Sequence, residues 1–152
     1  AARDLRSYAD KPVSAERENG YMSDMESAIA YRQLDKFDSH MERRAELAKY
    51  YQSELQQTNT LKLPNLDRPG VHYRYVIRCD SRLGRKALQR ALAEQRIVAE
   101  KPVELWLSKQ ELQRCSNARE GYGKNISLPL YPSLKDEQAQ RVVAMIKKEL
   151  GN

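Results

Sequence analysis

The chain contains no apolar run approaching the roughly 20 residues that a membrane-spanning helix needs. Its first residues lack the apolar stretch of a signal peptide. It has two cysteines, Cys79 and Cys115, far apart and without a His or Cys beside either. Such a pair builds neither a zinc site nor a disulfide framework, and two reduced thiols suit a cytoplasmic location. Gly-x-Ser-x-Gly, His-Glu-x-x-His and Cys-x-x-Cys are all absent, and Gly121-Tyr-Gly123 is a turn rather than a phosphate loop. No run of five like charges occurs, and the nine tyrosines are scattered. The chain therefore offers neither a polybasic patch nor an aromatic platform for nucleic acid. It begins at Ala1 rather than Met, and reads as a fragment or a truncated product.

What is present fits a folded domain. At 152 residues the chain is long enough to bury a core, and 40% hydrophobic with 32% charged content is the profile of a soluble, helix-rich protein. The 27 Lys and Arg are interspersed with 21 Asp and Glu, for a net charge of +6. Mixing of this kind reads as solvated helix faces. The modest positive excess also suits a protein that handles diphosphate-linked substrates. No membrane or nucleic-acid partner is expected.

Residues 1–22 are polar, with Pro12 and Gly20 and no clear period, and read as a connecting arm. Ser23 and Glu26 then form a capping box. Met25, Ala28, Ile29, Leu34, Phe37, Met41, Leu47, Tyr51 and Leu55 follow at mostly helical steps, so one long helix is predicted over 23–57, bent or bridging two units. Pro64, Pro69 and Gly70 mark a loop, with a short strand near Leu61–Leu63. Val71–Cys79 alternates and is rich in β-branched and aromatic residues, the pattern of a strand. Ser81 caps a second helix with Leu83, Ala87, Leu88, Ala91 and Leu92 on one face. Arg96–Glu100 is predicted to return as a strand, Ser108 to cap a short helix over Lys109–Ser116, and Ile126–Leu130 to form a strand. Pro132-Ser133 opens a last helix, Leu134–Leu150, ended by Gly151. The expected fold is α+β: a long N-terminal helix, then a small sheet with helices packed on one face. Residues 23–150 make up the domain.

The residues alone support no catalytic group and no metal site. His40 falls on the polar side of the long helix. His72, early in a strand, fits a half-buried structural histidine, with reach toward a neighbouring site as the second reading. Asn19-Gly20 reads as a turn.

Four blocks, in order, carry a resemblance: Asp4-Leu5-Arg6-Ser7-Tyr8; Asn19 to Leu34 (NGYMSDMESAIAYRQL); His72 to Arg78 (HYRYVIR); and Ile126 to Glu137 (ISLPLYPSLKDE). Together they resemble the C-terminal portion of the DegT/DnrJ/EryC1/StrS family of pyridoxal-phosphate sugar aminotransferases, from about Asp4 to Leu150. The resemblance implies the small C-terminal domain of a fold-type I enzyme that aminates nucleotide-linked keto-deoxyhexoses in polysaccharide biosynthesis. Such an enzyme exchanges amino groups by a ping-pong route, usually from glutamate, and is a homodimer with its sites at the subunit interface. Asn19 matches the residue that reaches the partner subunit's cofactor phosphate, where an amide donor suits a phosphate oxygen. Lys101, in Glu100-Lys101-Pro102-Val103, resembles a lysine near the substrate in a subset of the family, and His72 joins it as a substrate-side residue.

The departures are specific. Tyr21 stands where the family has an arginine, and the His-Tyr-x-Pro-Leu-His substrate segment is absent. No lysine sits in the family's Ser-Phe-x-x-x-Lys context, so the chain alone is expected to bind no cofactor and to be inactive. It would associate with itself or with a large domain that supplies the lysine. The competing expectation is a non-catalytic interaction module that keeps the fold.

Overall fold

The computed structural model describes residues 22–67, 70–103 and 108–151. The chain divides into two units, Ala1–Asp38 and Ser39–Asn152.

The described part of the first unit is dominated by helix α1, Asp24–Leu34. Ser23 Oγ accepts from the Glu26 amide at 3.3 Å, and Glu26 Oε2 accepts from the Ser23 amide at 2.8 Å. Two amides left without partners at the helix start are thus satisfied reciprocally, as the sequence predicts. None of the eleven residues of α1 is buried.

The predicted long helix is interrupted. A turn at Asp35–Lys36 separates α1 from α2, Phe37–Leu55. Neither proline nor glycine causes it. Aspartate is a weak helix-interior residue because its short carboxylate competes for local partners, and Asp35 pairs with Arg32 at 3.1 Å. The Lys36 amide closes onto the Gln33 carbonyl three residues back, a tightened last turn. Asp38 then lies in the first turn of α2, where negative charge favours a new helix start.

In the second unit, β1 (Leu61–Lys62), β2 (Tyr75–Cys79) and β3 (Asn125–Leu128) form an antiparallel sheet in the order β1-β2-β3. Tyr75 pairs with Leu128 and Ile77 with Ile126, while Leu61 pairs with Cys79. Along β2 burial alternates, so Tyr75, Ile77 and Cys79 share the core face. Burial pushes the Cys79 thiol up to about 11, so it stays protonated and behaves as a small apolar group. Helices α3 (Arg82–Glu94), α4 (Lys109–Arg114), α5 (Ser116–Lys124) and α6 (Asp136–Leu150) complete the α+β fold. Helix α3 packs against α6, α5, β2 and β3. The core gathers Leu47, Tyr51 and Leu55 of α2, the sheet face, Leu88 and Leu92 of α3, and Ala139, Val142, Val143 and Ile146 of α6. Gly151 ends α6 at φ 75°, the left-handed cap predicted for it.

Several details differ from the sequence reading. The strand predicted from Val71 begins at Tyr75, and the helix predicted over Lys109–Ser116 ends at Arg114. Leu83 and Ala87 of α3 are exposed, and the helix instead buries Arg85. Arg85 Nε donates to the Gly123 carbonyl at 2.9 Å and Nη1 to Gln89 Oε1 at 2.6 Å, so an amphipathic side chain replaces an apolar one on the packed face. Residues 96–100 do not form a strand beyond one bridge, Glu100 to Ser127. The Gly121–Asn125 segment, read as a turn, is helical through Lys124. The last strand stops at Leu128 and the last helix starts at Asp136, with Pro129 and Pro132 in the connection.

Candidate functional site

The strand expected at 96–100 is replaced by a helix-terminating turn, and that turn builds one wall of a cleft. At the end of α3 the Arg96 amide donates to the Ala93 carbonyl at 2.8 Å and the Ile97 amide to the Leu92 carbonyl at 2.9 Å. This paired closure is a Schellman motif, whose left-handed position usually carries glycine. Here it carries Arg96, at φ 58°, the one non-glycine with positive φ among the described residues. Ile97 packs back onto the core and fixes the reversal.

The cleft has a volume of about 560 Å³. Arg44 of α2, Arg74 just before β2, Arg96 of the turn and Arg141 of α6 bring four guanidiniums to its lining, against one carboxylate, Glu100. Its floor is apolar, with Leu128, Leu130, Leu134 and Val142. Arg44 and Arg74 both lie over the Tyr73 ring, at 5.8 and 5.3 Å from its centroid, where the ring quadrupole attracts a cation. Arg44 Nε is buried and has no partner. Arg141 Nη2 donates to the Gln95 carbonyl at 3.0 Å. Among the described residues, none of the four pairs with a carboxylate.

The scaffold beneath is rigid. Tyr51, fully buried, donates its hydroxyl to the Pro129 carbonyl at 3.0 Å and packs its ring 5.3 Å from that of Tyr75. Burial pushes both phenols well above the usual tyrosine range, so they remain neutral donors. Tyr75 in turn donates to Gln52 Oε1 at 2.8 Å. Arg43 of α2 donates to the Leu134 carbonyl at 2.9 Å and to Asp136, tying α2 to the start of α6.

The residues singled out from sequence do not converge on this cleft. Asn19 lies outside the described residues. His72 is half-buried beside Tyr73, and Lys101 holds its ammonium 3.9 Å from the Tyr122 ring centroid; neither lines the cleft. The four arginines escaped the sequence reading because they are dispersed from position 44 to 141. Only the fold gathers them. Among the described residues no group of His, Cys, Asp or Glu could hold a metal ion, and no helix is long and apolar enough to cross a membrane.

The sequence profile of the DegT/DnrJ/EryC1/StrS aminotransferase family matches residues 7–147. The chain belongs to that family. It is 29% identical over 140 residues to the spore coat polysaccharide biosynthesis protein SpsC of Bacillus subtilis (strain 168), covering 83% of this chain and 36% of that protein. Its fold is similar to that of DesV from S. venezuelae, solved in complex with a ketimine intermediate, with TM-score 0.83 and 23% identity over 99% of this chain and 42% of that one. It is similar also to PseC of Helicobacter pylori, an aminotransferase involved in the biosynthesis of pseudoaminic acid, with TM-score 0.79 and 21% identity over 95% of this chain and 42% of that one. The chain thus spans little more than a third of SpsC and about two fifths of the two solved chains. At these identities the likeness to solved structures is one of fold.

The putative sugar aminotransferase Spr1654 of Streptococcus pneumoniae, similar in fold at TM-score 0.76, is solved in PLP and PMP forms. The described lining of the cleft lacks a group that would hold that cofactor covalently. Capturing its aldehyde takes a primary amine, and no lysine lines the cleft. The guanidiniums there suit anionic oxygens but cannot form the imine. No catalytic step is therefore derived through the cofactor from these residues.

Proposed function

We propose that this chain is the small C-terminal domain of a pyridoxal-phosphate-dependent aminotransferase acting on a nucleotide-linked keto-deoxyhexose, and that it does not transaminate alone. One observation carries the reading: nearly the whole chain matches members of an aminotransferase family, yet it corresponds to only about two fifths of their solved chains. A complementary large domain supplies the lysine that holds the cofactor. Residues 1–22 form the arm leading from it, and residues 23–150 the small domain. In the assembled cytoplasmic homodimer, Asn19 donates its amide to the cofactor phosphate bound by the partner subunit, and Lys101 and His72 stand on the substrate side. The small domain binds and orients the substrate and excludes water; the cofactor, when bound, would supply the amino-group exchange.

Two measurements test this. Mixed with pyridoxal phosphate at a stoichiometric ratio, the isolated chain should give no borohydride-reducible adduct at a single lysine. A stable adduct at one lysine would contradict the reading. Joined to its large domain, the enzyme should bind cofactor, and Asn19→Ala should weaken that binding roughly ten- to a hundredfold, the loss of one charge-assisted hydrogen bond. Unchanged affinity would remove Asn19 from the phosphate site.

A second reading is a non-catalytic interaction module that keeps the fold. The exposed Met25 and Ile29, one turn apart on α1, favour it, since bare apolar side chains on one helix face suit association. Sedimentation separates the two. Under the first reading the large domain converts self-associated chain into a defined, cofactor-binding complex; under the second, self-association persists and no cofactor is bound.

A further inference from the structure

We propose that Tyr122 is a positioning residue whose ring holds the Lys101 ammonium ready for the substrate. That Lys101 faces substrate rests on the proposed function; the hold on it is a property of this chain's own geometry. Lys101 Nζ lies 3.9 Å from the centroid of the Tyr122 ring, inside the roughly 6 Å over which a ring face attracts a cation. Both side chains are half-buried, where that attraction exceeds its value in open water. Among the described residues no carboxylate pairs with Lys101. A ring face also differs from a carboxylate in what it leaves. It holds the ammonium on one side without neutralising it. The charge, and the N–H donors directed away from the ring, stay available to an electron-rich oxygen of a ligand.

The ring is itself held. Tyr122 stands in the last turn of α5, beside the buried Gly123. The buried Arg85 of α3 donates Nε to the Gly123 carbonyl at 2.9 Å. Arg82 of α3 crosses Gly123 so closely that a Cβ there would collide with it, and its Nη2 reaches the Arg119 carbonyl at 3.5 Å. Helix α3 thus pins the end of α5 that carries the ring. On the lysine's side, the Ser127 amide donates to the Glu100 carbonyl at 2.7 Å, which ties the residue before Lys101 to β3. That strand starts at Asn125, directly after α5. Both halves of the contact are therefore anchored within a few residues of one strand. Ordering a free lysine side chain costs much rotamer entropy, and a contact already formed in the free protein lowers that cost when a ligand binds.

Nuclear magnetic resonance on the 152-residue chain reads the hold. Protons above a ring face are shifted upfield, so the Cε protons of Lys101 should resonate upfield of those of the exposed Lys49. Tyr122→Phe keeps the ring and should keep the shift, whereas Tyr122→Leu should abolish it. Where Tyr122→Leu fails to fold, Tyr122→Met, closer to the ring in volume, makes the same comparison. A Lys101 that resonates with Lys49 in the parent chain, or keeps its shift without the ring, would overturn the proposal.

Kinetics of the enzyme completed by its large domain read the positioning. Lys101→Gln should raise KM for the keto-sugar. Tyr122→Leu should raise it roughly two- to thirtyfold, the span of one cation–π contact, with kcat within about twofold of the parent value. Tyr122→Phe should restore most of the loss. In the double variant the two effects should not add, because Tyr122 acts through Lys101. Additive effects, or a fall in kcat alone, would make Tyr122 merely structural and overturn the proposal. Loss of the resonance shift with KM still raised by Lys101→Gln would overturn it too, and would leave Lys101 on the substrate side. An unchanged KM in Lys101→Gln would instead remove Lys101 from the substrate side, and the positioning role with it, while the resonance shift stood.

Discussion

Helices α1 and α3 start alike and end differently. Each begins at a serine whose hydroxyl accepts from an amide three residues on, Glu26 for Ser23 and Gly84 for Ser81. Each carries apolar residues at helical spacing. Yet α1 buries none of its residues, and Met25, Ile29 and Leu34 stand exposed. Helix α3 buries Leu88, Leu92 and the guanidinium-bearing Arg85, while Leu83 is exposed. Capping and periodicity therefore settle where a helix begins and that it is a helix. Which face it buries depends on the surfaces offered by the rest of the fold, and those are not local properties.

The largest effect that sharpens this contrast comes from truncating equivalent apolar side chains. Leu92→Ala removes a fully buried side chain from the packed face of α3 and should destabilise the second unit by about 2–5 kcal/mol, through lost transfer energy and a residual cavity. Ile29→Ala on α1 should change stability by less than about 0.5 kcal/mol, as expected of a surface substitution. Urea unfolding of both variants checks the pair. A cost above about 1.5 kcal/mol at Ile29, well outside the surface range, would mean that α1 is covered in solution.

The second test concerns the polar residue that took an apolar place. Arg85→Met keeps much of the packed stem but removes the donor to Gly123, leaving that carbonyl without its partner. It should cost about 1.5–3 kcal/mol, the range for a hydrogen bond involving a charged group. Arg85→Ala should cost more, because the stem's packing is lost as well. Equal stability of Arg85→Met and the parent chain, by the same urea measurement, would show that burial of the stem alone holds the position.

The same reasoning explains how much was legible in the sequence. The α+β class, the capping box at Ser23, the cap at Ser108, the strand ending at Cys79, and the glycine cap at Gly151 were legible, and each is present. The Asp35–Lys36 break was not placed, because an aspartate inside an otherwise helical pattern is tolerated as often as it terminates. The reversal at Arg96 was missed for a firmer reason. Its Schellman closure usually needs a left-handed residue, and Gln95-Arg96-Ile97 contains no glycine or asparagine to signal one. A wrong strand at 96–100 then hid the cleft, since Arg96 is one of its four cations and the other three are distant in sequence. Arg85 was hidden similarly: nothing local announces that the Gly123 carbonyl will arrive beside it. The family resemblance was legible from four motif blocks, but those blocks do not contain Arg44, Arg96 or Arg141.

The smallest effect uses pH to compare a tie between elements with the bare surface of α1. Glu120 of α5 is exposed, yet Lys124 Nζ lies 2.8 Å and Arg78 Nη2 of β2 2.7 Å from its Oε1. The hydrogen bonds from Lys124 and then Arg78 hold its carboxyl down from 4.5 to about 2. Because the folded value is depressed, the ionised carboxylate stabilises the fold fully above the ordinary value of 4.5, and that contribution disappears as pH falls toward 2. Solvent screens an exposed group, so the effect is modest and decreases with added salt. In thermal melts of the parent chain and Glu120→Gln, the parent should be the more stable at pH 7. The gap should close between pH 4.5 and 2, where protonation makes the two side chains alike in charge. High salt should narrow the gap at pH 7. A gap that stays constant down to pH 2 would mean that Glu120 contributes through packing or helix propensity, and that the Arg78 contact is not what fastens α5 to the sheet.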